Sequence, residues 1–155
     1  MTYYSEKLYP GTGVLLAVAA VSGIMGLVFL PFSQTAALVA FLVLAIAAPA
    51  LVWFVSPRIK IAKSGTGPSG IQLFCNRAHI DLAHLGEVND LDEEAVRTKL
   101  PEWSTGQHFT LYSPWVKTAV EIKNIDDADP IESWILYTRQ PDRLMSVLRK
   151  HTPSR

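Results

Sequence analysis

The feature that most constrains this chain is a long stretch without any Asp, Glu, Lys or Arg. It runs from Leu8 to Val55, and the nearest charges on either side of it are Lys7 and Arg58. A helix of about 20 apolar residues, at about 1.5 Å per residue, matches the ~30 Å hydrocarbon core of a bilayer. The stretch has room for two such helices, and we therefore predict a transmembrane hairpin.

The two spans are predicted at 11–30 and 35–55, with a short connection at 31–34 that contains Pro31. A connection of about four residues makes consecutive helices antiparallel neighbours. Pro49 lies inside the second span, where it removes a helix hydrogen bond and predicts a bend.

The basic residues around the hairpin indicate its orientation. Lys7 precedes the first span, and Arg58, Lys60 and Lys63 follow the second, whereas the connection between the spans has no Lys or Arg. Because cytoplasmic flanks of membrane helices carry an excess of Lys and Arg, we expect both termini in the cytoplasm. The chain is then a multi-pass protein of the cell membrane, in contact with the lipid bilayer.

The remaining charges divide the chain into two physically different segments. Of the 28 Asp, Glu, Lys and Arg residues, 26 lie from Arg58 onward. We therefore predict a hairpin segment at 1–57 and a small cytoplasmic domain at 58–155, which is long enough for one modest core. The formal net charge is zero, so no overall positive field favours nucleic acid as a partner.

The C-terminal segment alternates polar and apolar side chains in several short runs, which is typical of half-buried strands. A Gly- and Ser-rich stretch at 64–70 indicates a hairpin connection rather than a phosphate-binding loop, because the Walker spacing is absent. The strands are predicted at 58–62, 71–75, 79–88, 108–112, 116–123 and 133–138.

Two helices are predicted beside these strands. Asp90, with Glu93 three residues later, is a candidate N-cap for an internal helix that ends before Pro101. Pro141 is placed to open a C-terminal helix with one apolar stripe. The fold class is therefore an α+β membrane protein, in which a two-helix hairpin precedes a small antiparallel β domain with one internal and one C-terminal capping helix.

The residue types that usually take part in catalysis or metal binding do not form a recognisable motif in this sequence. Cys75 is the single cysteine, so no internal disulfide forms, and we expect it to be a buried strand residue. His79 and His84 lie on opposite faces of a predicted strand, and His108 and His151 are distant in sequence. We predict no catalytic residues, no cofactor and no metal, and hence no enzyme.

Several motifs of the chain match known families. One is the ending at 135–144, a strand followed by Thr138-Arg139-x-Pro141 and a helix. This ending resembles that of the pleckstrin-homology-like domains of bacterial membrane proteins. The others are Tyr4-x-Glu6-x-Leu8, Gly86-Glu87-Val88, Ser113-Pro114-Trp115-Val116-x-x-Ala119-Val120 and Trp134-x-x-x-Thr138-Arg139-x-Pro141. With these motifs the chain resembles, over nearly its full length, a family of actinobacterial two-span membrane proteins of unknown function. That resemblance implies the architecture and transfers no catalytic residues.

Two functions are compatible with this architecture. The first is a non-catalytic module that docks a protein partner at the cytoplasmic face, as an accessory subunit of a larger membrane complex. The partner would be another membrane protein or a second copy of the chain, and the candidate interface aromatics are Trp103, Tyr112 and Trp115.

The second function is recognition of anionic lipid headgroups by the pleckstrin-like domain. Arg58, Lys60 and Lys63 are the candidate membrane-surface contacts. Each Lys or Arg near an anionic leaflet contributes on the order of 1 kcal/mol.

Overall fold

The structure, a computed structural model, describes residues 1–65, 67–105, 107–126 and 128–152. The chain forms two compact units. One unit consists of Tyr9–Ser56, and the other combines Met1–Leu8 with Pro57–Arg155. The second unit is therefore assembled from chain segments on both sides of the first.

The first unit is a helical hairpin. Helix α1 spans Thr12–Gly26 and continues as a 3-10 turn at Leu27–Phe29, and helix α2 spans Gln34–Val55. The Ser33 hydroxyl caps α2 by accepting a hydrogen bond from the amide of Ala36 at 3.4 Å. Both Thr12–Phe29 and Gln34–Val55 are long and apolar enough to cross a membrane.

The two helices approach each other closely at two glycines of α1. A Cβ atom built on Gly23 would lie 3.0 Å from the ring of Phe41. One built on Gly26 would collide with the backbone nitrogen of Phe41 and lie 2.7 Å from the carbonyl carbon of Ala40. Backbone atoms cannot rotate away as side chains do, so this approach requires glycine at position 26.

We predict that Gly26→Ala weakens the helical hairpin although alanine favours helix by about 1 kcal/mol. The clash with the α2 backbone should lower the free energy of unfolding by about 1–3 kcal/mol. The measurement is a denaturation titration of the full chain in detergent, followed by helical circular dichroism.

Gly13 provides the matched control, because no atom lies within 4 Å of a Cβ built there. Gly13→Ala should leave the hairpin as stable as before or slightly more stable. Equal effects of the two substitutions would contradict the close approach at Gly26.

The second unit contains two four-stranded sheets. The first sheet is an antiparallel meander in the order β1-β2-β3-β4. Its strands are β1 Thr2–Lys7, β2 Arg58–Lys63, β3 Ile71–Cys75 and β4 Ala78–Asp81.

Strand β1 was not expected from the sequence, which grouped residues 1–57 with the hairpin. In the structure β1 pairs with β2, the strand that follows the hairpin, and the side chain of Tyr4 is buried in the core. The local sequence does not indicate this strand, because the strand with which it pairs, β2, follows the hairpin in the sequence. The helical hairpin is thus inserted between two neighbouring strands of one sheet.

The second sheet has the order β5-β7-β8-β6. Its pairs are antiparallel except for β6 and β8, which are parallel. The predicted antiparallel β domain is therefore confirmed apart from this one pair, which is parallel because β6 does not pair with the next strand of the chain. The strands are β5 Leu85–Leu91, β6 His108–Leu111, β7 Ala119–Asn124 and β8 Ser133–Tyr137.

The long strand predicted at 79–88 is divided in two. Strand β4 ends at Asp81, a 3-10 turn follows at Leu82–His84, and the chain then continues as β5 in the other sheet. The Asp81 carboxylate caps the turn by accepting a hydrogen bond from the amide of Ala83 at 2.8 Å. Leu82, which lies in this turn, is fully buried.

Both predicted helices are present. Helix α3 spans Glu93–Thr105 and is capped by Asp92, whose carboxylate accepts a hydrogen bond from the amide of Ala95 at 2.8 Å. Asp90, the predicted cap, lies in β5 instead. The helix also continues beyond Pro101, where the sequence predicted its end.

Helix α4 spans Pro141–His151 and begins with Pro141, as predicted. Its buried side chains Leu144 and Leu148 belong to a core cluster that includes residues of both sheets. Cys75 is fully buried in the same cluster, and its burial raises the pKa of the thiol. This agrees with the expectation of a structural strand cysteine.

Candidate functional site at the hairpin root

The site of greatest interest is the point where the β domain joins the hairpin, which we call the hairpin root and define by Leu8 and Pro57. The Leu8 amide donates a hydrogen bond to the carbonyl of Pro57 at 2.9 Å, which extends the β1–β2 ladder by one step. The Trp115 ring N–H donates to the carbonyl of Leu8 at 2.8 Å. Both polar groups of the Leu8 backbone are therefore satisfied within the β domain.

Leu8 is also held through its side chain. It is fully buried in a second apolar cluster, against which the Trp115 ring packs. Only four residues then separate β1 from α1, at 8–11, and only two separate α2 from β2, at 56–57. The root is thus a fixed part of the β domain with short covalent connections to both helices.

A partly buried polar network lies beside the root and centres on the Glu6 carboxylate. One oxygen, Oε2, accepts hydrogen bonds from the Tyr4 hydroxyl and from the Thr138 hydroxyl, each at 2.6 Å. The other oxygen, Oε1, accepts from the Arg139 amide at 3.0 Å. Short bonds to an ionised acceptor are among the stronger hydrogen bonds in proteins.

This network connects β1 to the start of α4. The Thr138 hydroxyl also accepts a hydrogen bond from the Gln140 amide at 3.1 Å, one residue before α4. The backbone of Thr138 exchanges further bonds with Thr118, since the Thr138 amide donates to the Thr118 carbonyl and the Thr118 hydroxyl donates to the Thr138 carbonyl. Segments from the two ends of the chain are therefore joined at Glu6.

The surroundings change the acidity of Tyr4. Burial raises the pKa of the Tyr4 hydroxyl, and the hydrogen bond to the Glu6 carboxylate raises it further. Both effects favour the protonated form. The hydroxyl is therefore a stable donor to Glu6 at ordinary pH, and its role is structural.

We predict that Glu6→Gln destabilises the β domain by about 1.5–3 kcal/mol, the range for hydrogen bonds to a charged group. Both carboxylate oxygens accept hydrogen bonds, whereas an amide accepts through only one of its two end atoms. At least one donor is then left facing an NH₂ group. The measurement is denaturant unfolding of the full chain, monitored by tryptophan fluorescence.

Glu132→Gln is the control for removal of one negative charge, because Glu132 is exposed. It should change the free energy of unfolding by no more than about 0.5 kcal/mol. An equally small effect of Glu6→Gln would show that the network contributes little.

The root end of the first sheet also brings basic residues together. Lys7 and Arg58 are directly opposite each other in the β1–β2 pair. The Arg58 amide donates to the Asn76 side chain at 2.9 Å, and the Asn76 amide donates to the Arg58 carbonyl at 3.1 Å. The turn between β3 and β4 therefore sits next to Arg58, and it carries Arg77.

The three bases predicted as membrane-surface contacts do not form one group. Arg58 and Lys60 are exposed and point to the same side of β2, but Lys63 is at the opposite end of that strand. Five residues along a strand correspond to about 17 Å. The sequence pattern does not indicate that Lys7 and Arg77 lie beside Arg58, because only the pairing of β1, β2 and β3 brings them close to it.

The predicted interface aromatics differ in their surroundings. Tyr112 is 54% exposed, and its ring meets the ring of Tyr137 edge-on at 5.1 Å. Trp115 is engaged at the hairpin root and is only partly exposed. Trp103 belongs to α3 but lies outside the residues whose side chains the structure describes.

Two histidines have polar side-chain partners. His108 Nδ1 lies 2.8 Å from the Ser133 hydroxyl, and His84 Nδ1 lies 3.2 Å from a carboxylate oxygen of Asp126. Ser133 is buried, so its hydroxyl is not presented to a substrate. In the part of the chain that the structure describes, no cluster of His, Cys, Asp or Glu has the geometry to hold a metal ion.

The fold and its root define a class of protein in which a two-helix apolar hairpin is inserted between paired strands of an α+β domain. Residues 3–148 match the family described as "Protein of unknown function (DUF3093)", and the chain belongs to that family. This confirms the predicted relationship to an uncharacterised family over nearly the whole chain. No curated protein and no solved structure matches the chain.

Proposed function

We propose that this protein is a membrane-anchored, non-catalytic module that docks a protein partner at the cytoplasmic face, as an accessory subunit of a larger membrane complex. The hairpin would span the membrane, with both termini in the cytoplasm. The observation that supports this proposal best is the insertion of the hairpin between β1 and β2. Because only four residues separate β1 from α1 and two separate α2 from β2, the β domain would be tethered to the membrane by two short connections.

We also propose a specific fold for the β domain. Two sheets followed by the closing helix α4 support a pleckstrin-homology-like domain, and the parallel pair of β6 and β8 departs from the antiparallel pattern. An actinobacterial source stays a prediction from the resemblance.

The surface around Tyr112 is the best-supported place for a partner. Among the described residues of the β domain, the strongly exposed large apolar side chains are Met1, Tyr112 and Ile125. A half-exposed tyrosine supported by a second aromatic ring is a common anchor in protein interfaces. Trp115 is a weaker candidate, because its ring N–H is already used at the root.

The orientation can be tested with single cysteines in a Cys75→Ala background. Phe32→Cys, at an 84% exposed position in the loop between the helices, should react with a membrane-impermeant maleimide in intact cells. Arg149→Cys, on the exposed side of α4, should react only after the membrane is permeabilised. The opposite labelling pattern would overturn the proposed orientation.

The partner can be tested by photo-cross-linking in living cells. A photoreactive amino acid at position 112 should give one discrete adduct with the full-length chain, because Tyr112 would lie in the interface. Gel mobility and mass spectrometry identify the adduct as another protein or as a second copy of the chain.

The control is the same photoreactive residue at Ile125, which is 45% exposed and lies in the turn after β7. A discrete adduct at position 112 without one at position 125 supports docking through the Tyr112 surface. Absence of any adduct at position 112, or the same adducts at both positions, contradicts it.

A further inference from the structure

The root end of the first sheet carries a group of three cations. We call Lys7, Arg58 and Arg77 the root cation cluster. Lys7 and Arg58 are opposite each other across β1 and β2, and Arg77 lies in the turn that is hydrogen-bonded to Arg58 through Asn76. Arg58 and Arg77 are both exposed.

The arrangement is electrostatically unfavourable for the isolated domain. Directly opposite residues of an antiparallel pair have Cβ atoms about 5 Å apart, and like charges at that position are destabilising. Loss of solvent around the ammonium group, together with the charge of Arg58, lowers the pKa of Lys7. Within the described residues, neither Arg58 nor Arg77 forms a salt bridge with a carboxylate.

The positive character continues along the outer face of the sheet. Lys60 is exposed two residues beyond Arg58, and its cross-strand neighbours are Ser5 and Phe74. His79 lies next to Phe74, with 6.0 Å between the ring centres. The Glu6 side chain of β1 lies on the other face of the sheet, where its carboxylate accepts hydrogen bonds from the hydroxyls of Tyr4 and Thr138.

We propose that the root cation cluster binds the phosphate of an anionic lipid headgroup. An anion placed between Lys7 and Arg58 would relieve their repulsion, and guanidinium groups match phosphate oxygens in geometry as well as in charge. This site goes beyond partner docking. It also differs from the trio predicted from the sequence, since it contains Lys7 and Arg77 and excludes Lys60 and Lys63.

A lipid is favoured over an acidic protein segment because of where the cluster lies in the chain. Lys7 and Arg58 are the charges that bound the uncharged stretch, with Ser56 and Pro57 alone between Arg58 and α2. Residues so close to the end of a membrane-spanning helix lie at headgroup depth. A soluble acidic segment would have to compete with the headgroups for the same position.

The test uses the full-length chain in a neutral detergent with added short-chain phosphatidylglycerol. A ligand that binds only the folded state raises the midpoint of thermal unfolding in a concentration-dependent way. Phosphatidylglycerol should therefore raise the midpoint, short-chain phosphatidylcholine should not, and added salt should weaken the effect.

The decisive variant is Arg58→Gln with Arg77→Gln. Loss of one cation at an anionic surface should weaken binding about fivefold, which corresponds to about 1 kcal/mol. The double variant should therefore need about 25-fold more phosphatidylglycerol for the same shift in midpoint. Without lipid it should unfold at the same temperature as the original chain or slightly higher, because repulsion with Lys7 is removed.

The matched control is Lys63→Gln with Lys150→Gln, which removes two exposed cations away from the root. This variant should respond to phosphatidylglycerol as the original chain does. An equal response of all three chains would overturn the proposal, since the effect would then depend on net charge or on the hairpin alone.

Two further additives distinguish other occupants. Inorganic phosphate at the same concentration should give a much smaller shift, and an equal shift would mean that the site binds a free anion rather than a lipid. A polyglutamate peptide that stabilises the chain, when phosphatidylglycerol does not, would assign the cluster to an acidic protein segment and overturn the lipid assignment.

Discussion

The pairing of β1 with β2 is the interaction on which the rest of the structure depends. These two strands are neighbours in space and are separated in sequence by the whole helical hairpin. Bringing them together closes a long loop, which costs conformational entropy that grows slowly with loop length. The two packed helices shorten the effective loop, because their ends already lie on the same side of the hairpin.

The root adds further contacts to this pairing within the β domain. The Leu8–Pro57 hydrogen bond extends the ladder, and Trp115 holds the Leu8 carbonyl from a position 107 residues away in the sequence. Glu6 joins the same strand to Thr138, just ahead of α4. Both ends of the hairpin are therefore joined, through a few residues of chain, to a strand pair that is hydrogen-bonded within the β domain.

These contacts also show what the residues that carry the family resemblance do in the fold. The motifs are far apart in the sequence, but several of their members meet at the root and in the Glu6 network. The proposed functions use the surfaces that this arrangement leaves exposed. The Tyr112 surface is suited to a protein partner, and the root cation cluster is suited to anionic headgroups.

The sequence predicted those parts of the fold that depend on local patterns. The uncharged stretch indicates the two apolar helices, and Pro141 marks the start of α4. Features that depend on distant pairing were not predictable in this way. Strand β1, the parallel β6–β8 pair and the positions of Lys7 and Arg77 beside Arg58 all require knowledge of which strands are neighbours, which periodicity does not contain.

The most direct test of the central claim is a disulfide between β1 and β2 in the membrane-inserted chain. Ser5 and Lys60 are directly opposite each other in the pair, at a separation that suits a disulfide. In a Cys75→Ala background, Ser5→Cys with Lys60→Cys should form this bond efficiently under mild oxidation. Ser5→Cys with Lys63→Cys, displaced by three residues or about 10 Å, should not. Failure of the first pair, or equal cross-linking of both, would contradict the insertion of the hairpin between two paired strands.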